Sequence, residues 1–201
     1  MPTPAIEVHR LTPARRDDYL AFFDHERGPA FADNPEWAKC YCHYYHVAPA
    51  IKWNTFDGPA NRLAMTARID VGEMEGYLAY ADGAVVGWVN AQPYHKLPHA
   101  CARLSVAPPE LDVPPAEAAA IVCFVISPAW RRRGVARALL AGALASFAAR
   151  GIRVVDAFPW KAGDSTTATD HYHGPASLFA EAGFVPIRDD KDVTVVRKRL
   201  G

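Results

Sequence analysis

Hydrophobic positions along the chain change period several times, and each change predicts an element. Ile6 and Val8 alternate with Glu7 and His9 as a short strand, and Thr12-Pro13 supplies an N-cap and N1 pair for a helix to about Arg27. The stretch GPAFADNPEWAKCYCHYYHVAPAIKWNTF keeps neither a helical nor a strand period, so it is expected to be irregular, with a short helix near Pro35. A helix from about Gly58 to Arg68 follows. The run EGYLAYADGAVVGWVNAQ holds two β-rich segments around Asp82-Gly83, the signature of an antiparallel hairpin.

Six prolines lie between Pro93 and Pro115, too many for a regular helix or a central strand, so this segment reads as a long excursion over the surface. AIVCFVI, residues 120 to 126, is continuously apolar and predicts a fully buried central strand, stopped by Ser127-Pro128. From Arg133 to Arg150, Val135, Leu139, Leu140, Leu144 and Phe147 recur at helical spacing, and Gly151 supplies the residue that ends the helix. IRVVDAFPW predicts another strand. After a polar loop, Pro175 opens a short helix ending at Gly183, and FVPIR with VTVVRK closes a hairpin around DDKD. The sum is one α+β domain over residues 1–201, with a mixed, mostly antiparallel sheet of six to seven strands and flanking helices. Residues 28–56, an aromatic insertion, and 93–118, the proline-rich excursion, are its least regular parts.

Composition narrows the function. Half of the 201 residues are hydrophobic, enough for a substantial core, and Lys+Arg and Asp+Glu balance at 22 each. A neutral chain lacks the basic field that nucleic acid or an acidic membrane surface requires, so neither partner is expected. MPTPAIEVHR has no charged region followed by an apolar run, and no stretch approaches the roughly 18 apolar residues of a membrane helix. Cysteines 40, 42, 101 and 123 have no disulfide-framework spacing. These features together predict a cytoplasmic protein.

One local charge pattern is at odds with its element. WRRRGVARALL, residues 130 to 140, places Arg131, Arg132 and Arg133 where a helix begins, at the end whose dipole repels cations. With nothing bound, each costs a few tenths of a kcal/mol. A buried strand, a short loop and a helix N-terminus make an anion site, since the first-turn amides are free and the macrodipole adds about half a positive charge. Gly134 lets a ligand approach the main chain and Ala136 keeps the next turn small. The arginines then face a ligand's negative charge, that of a phosphate or pyrophosphate.

Arg131-x-x-Gly134-x-Ala136, after an apolar strand ending Ile126-Ser127-Pro128, resembles the acetyl-CoA pyrophosphate loop of the GNAT acetyltransferase superfamily, Gln/Arg-x-x-Gly-x-Gly/Ala. The Asp82-Gly83 hairpin ending in GWV, and SLFAEAGF leading to a closing hairpin, resemble that superfamily's middle strands and its late "GF" junction. CYC near residue 40, the VCFVI strand and YHG before the last helix are similar to one bacterial subgroup. The resemblance implies a central strand that splays from its neighbour. Main-chain groups of Phe124, Val125 and Ile126 would then pair with the pantetheine arm, and the loop amides from Arg132 through Gly134, Val135 and Ala136 to Arg137 would hold the pyrophosphate. It also implies acetyl-CoA as co-substrate, direct attack by an amine on the thioester, and a possible homodimer.

That chemistry needs a base, an oxyanion donor and an acid. An alkylammonium is neutral about once in a thousand at pH 7, so a base or a water chain must take its proton. A main-chain N–H on the splayed strand is the natural donor. For the acid, the superfamily often places a Tyr where this chain has Phe179, which has no proton to give. Tyr172, between His171 and His173, is the replacement expected here; the alternative is a loop that merely carries polar rings. Phe179 equally fits a non-catalytic acyl-CoA-binding module. Asp156 heads the candidate bases, with Glu110, Asp112 and His43 behind it.

Cys40, Cys42, His43 and His46 are enough in number for tetrahedral zinc, but C-x-C followed at once by His crowds the chain, so no metal is expected. The aromatics of this segment either pack against the sheet as a lid or line the acceptor pocket, with Trp37, Tyr41 and Tyr44 as the substrate-binding candidates. The acceptor expected is a small amine, such as an aminoglycoside-like antibiotic or a polyamine, with a peptide N-terminus or Lys as the runner-up.

Overall fold

The computed structural model describes residues 5–161, 167 and 171–201. Its frame is a seven-stranded sheet in the order β1-β2-β3-β4-β5-β7-β6. The strands are β1 (Glu7–Arg10), β2 (Tyr77–Ala81), β3 (Ala84–Pro93), β4 (Ala118–Ile126), β5 (Val154–Ala157), β6 (Val185–Asp189) and β7 (Thr194–Arg199). Every pairing is antiparallel except β4 with β5. The β2–β3 hairpin turns at Asp82 and Gly83, both left-handed (φ 50° and 76°), the backbone that an Asp-Gly pair adopts at least cost.

Among the described residues, six α-helices accompany the sheet: α1 (Arg16–Phe22), α2 (Pro35–Ala38), α3 (Gly58–Asp70), α4 (Ala100–Arg103), α5 (Val135–Ala149) and α6 (Ala176–Glu181). Period-2 alternation divides the sheet into two faces. Trp88, Ala120 and Val125 point toward Tyr19 and Phe22 of α1, Met65 and Ile69 of α3, and Tyr41 and Tyr45. Val89, Ala119, Ile121 and Phe124 point toward Val135, Leu139, Ala143 and Phe147 of α5 and toward Phe179. Each fully buried Leu or Phe contributes about 1.5–3 kcal/mol, so the helical spacing read along α5 is what fixes it to the sheet.

Three elements differ from the sequence reading. The first helix ends at Phe22 rather than near Arg27, because Asp24 turns the chain: its side chain accepts the N–H groups of Glu26 (3.0 Å) and Arg27 (2.8 Å). The long helix starts at Val135 rather than Arg133, because Gly134 is left-handed and can only cap it. The proline-rich excursion is not simply a surface loop. It carries one turn of helix, α4, and buries Leu97, Ala100, Leu104, Val106 and Val113. Arg103 ties it to the aromatic segment by donating to the carbonyls of Val47, Ala48 (both 3.0 Å) and Ile51 (3.1 Å) while lying over the Tyr44 ring. The polar loop expected before α6 lies largely outside the described residues.

Candidate functional site

The site begins where a strand loses its neighbour. β4 pairs with β5 only from Ala118↔Val154 to Ile121↔Ala157, yet stays on β3 to Ile126. A bulge marks the parting: Asn90 faces Cys123 and Ala91 faces Ile121, so Val122 is skipped, and Val122 and Cys123 both enter the same core cluster. Past this point β4 turns one edge of its main chain into a widening gap. The Phe124 N–H points there, donating to the Tyr172 carbonyl at 2.6 Å. By strand alternation the main-chain groups of Ile126 point the same way, and those of Val125 face β3.

At the end of β4 the chain turns sharply into α5. Arg132 and Gly134 are both left-handed (φ 62° and 82°), and a Cβ added at Gly134 would meet nothing within 4 Å. That open face is where an anion can touch the backbone. The first intrahelical bond is Ala138 N–H to Gly134 O at 3.0 Å, so the amides of Val135, Ala136 and Arg137 lack a partner one turn back. No acidic residue occupies this first turn.

A cleft of about 980 Å³ joins the two features. One wall carries Ile126, Arg131, Arg132, Gly134, Val135, Ala136 and Arg137, the floor carries Phe124 and Val125, and α6 closes a second side with Ser177, Leu178 and Glu181. The third side is the aromatic segment, through Phe31, Asp33, Asn34 and Trp37. Its volume lies within the range of small-molecule and cofactor sites, and the arginines and free amides on one wall suit a negatively charged ligand.

The arginines divide by role. Arg131 is committed to the protein: its Nε donates to Ile126 O (3.3 Å), Nη2 reaches Asp33 Oδ1 (3.0 Å), and Nη1 pairs with Asp33 Oδ2. This pairing holds the Asp33 carboxyl below its ordinary range. Arg133 lies over the Trp130 ring at 5.2 Å. Arg132 lines the cleft, and Arg137 spans it to Glu181 at 2.5 Å.

The acceptor candidates separate as well. Trp37, 36% exposed, lines the cleft and stands edge-on to Tyr172 at 5.2 Å. Tyr41 and Tyr44 do not reach it. Tyr41 is fully buried, its hydroxyl bonded to the His25 ring (2.8 Å) and its carbonyl to the Tyr19 hydroxyl (2.5 Å), and Tyr44 packs on Arg103 and Trp53. Both rings pack with the core on one face of the sheet. The nearby histidines are likewise structural: His43 bonds Asn61 at 2.7 Å, and buried His46 lies 3.4 Å from Gln92 Nε2. Burial lowers the pKa of His43 and takes that of His46 down to about 3. Among the described residues, no group of three or more His, Cys, Asp or Glu side chains is arranged to hold a metal ion.

Asp156, expected as a base, is placed instead at the centre of a buried network. It is 0% exposed, its oxygens accept from Arg197 Nε (2.7 Å) and Nη2 (2.9 Å) and from the Tyr94 hydroxyl (2.7 Å), and it does not line the cleft. A base must reach the substrate proton, and this carboxylate faces its own partners. Asp112 is engaged by Arg199 at 2.5 Å. Phe179 is buried between Phe124 and Phe184 and offers only packing.

Tyr172 lies at the parting of β4 and β5, and burial pushes its phenol well above the ordinary range. Sequence reasoning missed Asp33 and Glu181, whose partners lie far along the chain. His173 is 1% exposed, and its Nδ1 donates to Val122 O at 2.8 Å.

Comparisons with known proteins agree with this geometry. The model of the Acetyltransferase (GNAT) family matches residues 43–173. Among solved structures, the chain is similar to a GNAT-family acetyltransferase from Streptococcus pneumoniae, at 14% identity over 98% of this chain and 100% of that one, with a TM-score of 0.54. It is similar to the PaiA N-acetyltransferase of Thermoplasma acidophilum in complex with coenzyme A, at 12% identity over 98% and 99% of the two chains, TM-score 0.54. It is also similar to YncA of Salmonella typhimurium with its cofactor acetyl-CoA, at 14% identity over 98% and 95%, TM-score 0.52. No curated protein matches the chain by sequence.

Proposed function

Because the chain belongs to the GNAT family of acetyltransferases, we propose that it moves an acetyl group from acetyl-CoA to a primary amine of a small molecule by direct attack in a ternary complex. The observation that carries this reading is the cleft itself, continuous from the amides of Gly134–Arg137 along Phe124 to the Trp37–Tyr172 corner. Two of the similar structures hold coenzyme A or acetyl-CoA, which supports the same assignment. When bound, acetyl-CoA supplies the acyl group activated as a thioester.

The chain's own residues then have distinct work. The amides of Val135, Ala136 and Arg137, with the guanidinium of Arg132, hold the pyrophosphate. Arg131 positions the loop by fastening it to Ile126 O and to Asp33. The gap-facing main chain of Ile126 and Phe124 aligns the pantetheine arm, and an N–H on this edge of β4 stabilises charge developing on the acyl oxygen. That donor is Phe124 N–H once the Tyr172 carbonyl gives way, or Ile126 N–H if it does not. Tyr172 stays protonated throughout the working range because burial raises its pKa. It therefore gives the departing sulfur a hydrogen bond rather than a proton. Trp37 offers an aromatic face to an alkyl or sugar-like acceptor.

A thiol-release assay with acetyl-CoA against aminoglycosides, polyamines and peptides tests the reading. Release with one class of small amine is the expected result. Release with peptides alone would move the acceptor to a polypeptide, and binding of acetyl-CoA without release on any acceptor would favour a non-catalytic module.

A further inference from the structure

At the bulge in β4, one buried carbonyl is held by two side chains. The pairing of β4 with β5 ends at Ile121↔Ala157 and the bulge skips Val122 on the β3 side, so Val122 lies outside both ladders. Val122 is fully buried, and a buried carbonyl needs a donor. It has two: the Tyr45 hydroxyl, from the aromatic segment, donates at 3.1 Å, and His173 Nδ1, from the turn before α6, donates at 2.8 Å. A carbonyl accepts two hydrogen bonds, yet one would satisfy it.

The second donor is not free of cost. Burial takes the His173 pKa down to about 4, so the ring is neutral with one hydrogen, and the carbonyl fixes that hydrogen on Nδ1. Buried Nε2 is left without a partner. Both donors are locked in direction by packing. The two rings meet edge-on at 6.5 Å, and the His173 ring packs on Tyr172 (3.9 Å) and stacks on Trp160 (5.9 Å, 15° between planes).

What this carbonyl controls lies one residue on. Peptide units are planar, so only the φ and ψ of Cys123 separate the plane that holds the Val122 C=O from the plane that holds the Phe124 N–H. Cys123 cannot readily absorb a rotation, because it is paired with Asn90 in the β3 ladder. Phe124 lines the cleft, and its N–H is aimed into the gap, where the Tyr172 carbonyl accepts it at 2.6 Å. We propose that Tyr45 and His173 are positioning residues: by holding the Val122 carbonyl together, they fix the direction in which the Phe124 N–H meets the acyl oxygen of the donor. Neither side chain touches a substrate. A donor stabilises developing charge only when it is aimed at the place that charge will occupy, so an error in direction lowers the rate. Affinity for acetyl-CoA stays with the loop amides of Val135, Ala136 and Arg137.

The proposal rests on the acetyltransferase reading, and the two can fail separately. Calorimetry comes first: wild type, Tyr45→Phe, His173→Leu and the double variant should bind acetyl-CoA with equal affinity at one site per chain, a count that misfolding would lower. Thiol release is then followed with whichever of spermidine, kanamycin and a lysine peptide turns over fastest. Each single variant leaves Val122 one donor and should lower kcat less than about fivefold. The double variant leaves it none and should lower kcat about 10²-fold, more than the product of the two single losses. Tyr45→Phe with His173→Asn restores one donor and should return to the rate of Tyr45→Phe alone. A double variant that binds fully but loses no more than that product, or an Asn that gives no rescue, overturns the proposal. Nuclear magnetic resonance supplies a reading that needs no double variant: in each single variant the Val122 carbonyl carbon and the Phe124 amide proton should shift together, and a Phe124 proton that stays in place in both overturns it as well. Wild type that binds no acetyl-CoA, or releases no thiol with any of the three amines, would count against the transferase reading instead, and those shifts would still judge whether the two donors aim the Phe124 N–H.

Discussion

Arg131, on the loop before α5, grips Asp33, on the aromatic segment, with both Nη atoms while its Nε holds the end of β4. One guanidinium thus joins the proposed pyrophosphate wall of the cleft to the wall that carries Trp37. The pair is partly exposed, so its worth in stability is under about 1 kcal/mol, and its importance is geometric. Asp33→Ala should raise the KM for the acceptor severalfold while leaving acetyl-CoA affinity intact, since it frees Arg131 without removing it. Steady-state kinetics alongside calorimetry check this; a tenfold loss of acetyl-CoA affinity with unchanged acceptor KM would reverse the assignment of the two walls.

The buried pair Asp156–Arg197 makes a different prediction. Removing the carboxylate leaves a guanidinium, itself only 9% exposed, without its counter-charge, a loss of about 3–5 kcal/mol. Urea denaturation of Asp156→Asn should show that loss, while the fraction that remains folded at low temperature keeps kcat within a few fold. A stable variant with kcat down a hundredfold would return Asp156 to the reaction.

Acid should unfold the protein partly through its histidines. His46 and His173 have folded pKa values lowered to about 3 and about 4 by burial, against about 6.5 in the unfolded chain. Between those limits the unfolded state binds more protons. The stability from each ring is therefore complete above about pH 6.5 and is lost as pH falls toward the folded value, at up to about 1.4 kcal/mol per pH unit for each ring. Denaturation midpoints between pH 7 and pH 4.5 should fall accordingly, and His46→Gln should show a shallower slope. Equal slopes in the two proteins would mean that His46 is solvated in the folded state.

Much of the fold was legible because it follows from local rules. The Asp82-Gly83 turn, the apolar β4, the α5 stripe and the closing hairpin each depend on residues within one element, and each forms where the pattern placed it. The turn proposed to hold the pyrophosphate was legible for the same reason: a buried strand, a left-handed glycine and a helix start are consecutive in sequence. What was hidden depends on distant partners. The sequence separations between Arg131 and Asp33, Arg137 and Glu181, and Asp156 and Arg197 are 98, 44 and 41 residues. A carboxylate reads as a possible base until its partner is known, and that is how Asp156 came to head the candidates while Asp33 was overlooked. Tyr41 and Trp37, four residues apart in one aromatic run, differ only in which one the chain turns toward the core.

The central claim is that the turn at Gly134 holds the pyrophosphate of acetyl-CoA, and calorimetric titration of wild type and Gly134→Glu tests it most directly. A Cβ at this residue meets nothing in the protein, so the variant's cost in folding is that of one left-handed non-glycine residue, about 1–2 kcal/mol. Its carboxylate, however, stands where the phosphates must lie. Wild type should bind acetyl-CoA and the folded variant should not; equal affinity in the two would contradict the loop assignment and the account built on it.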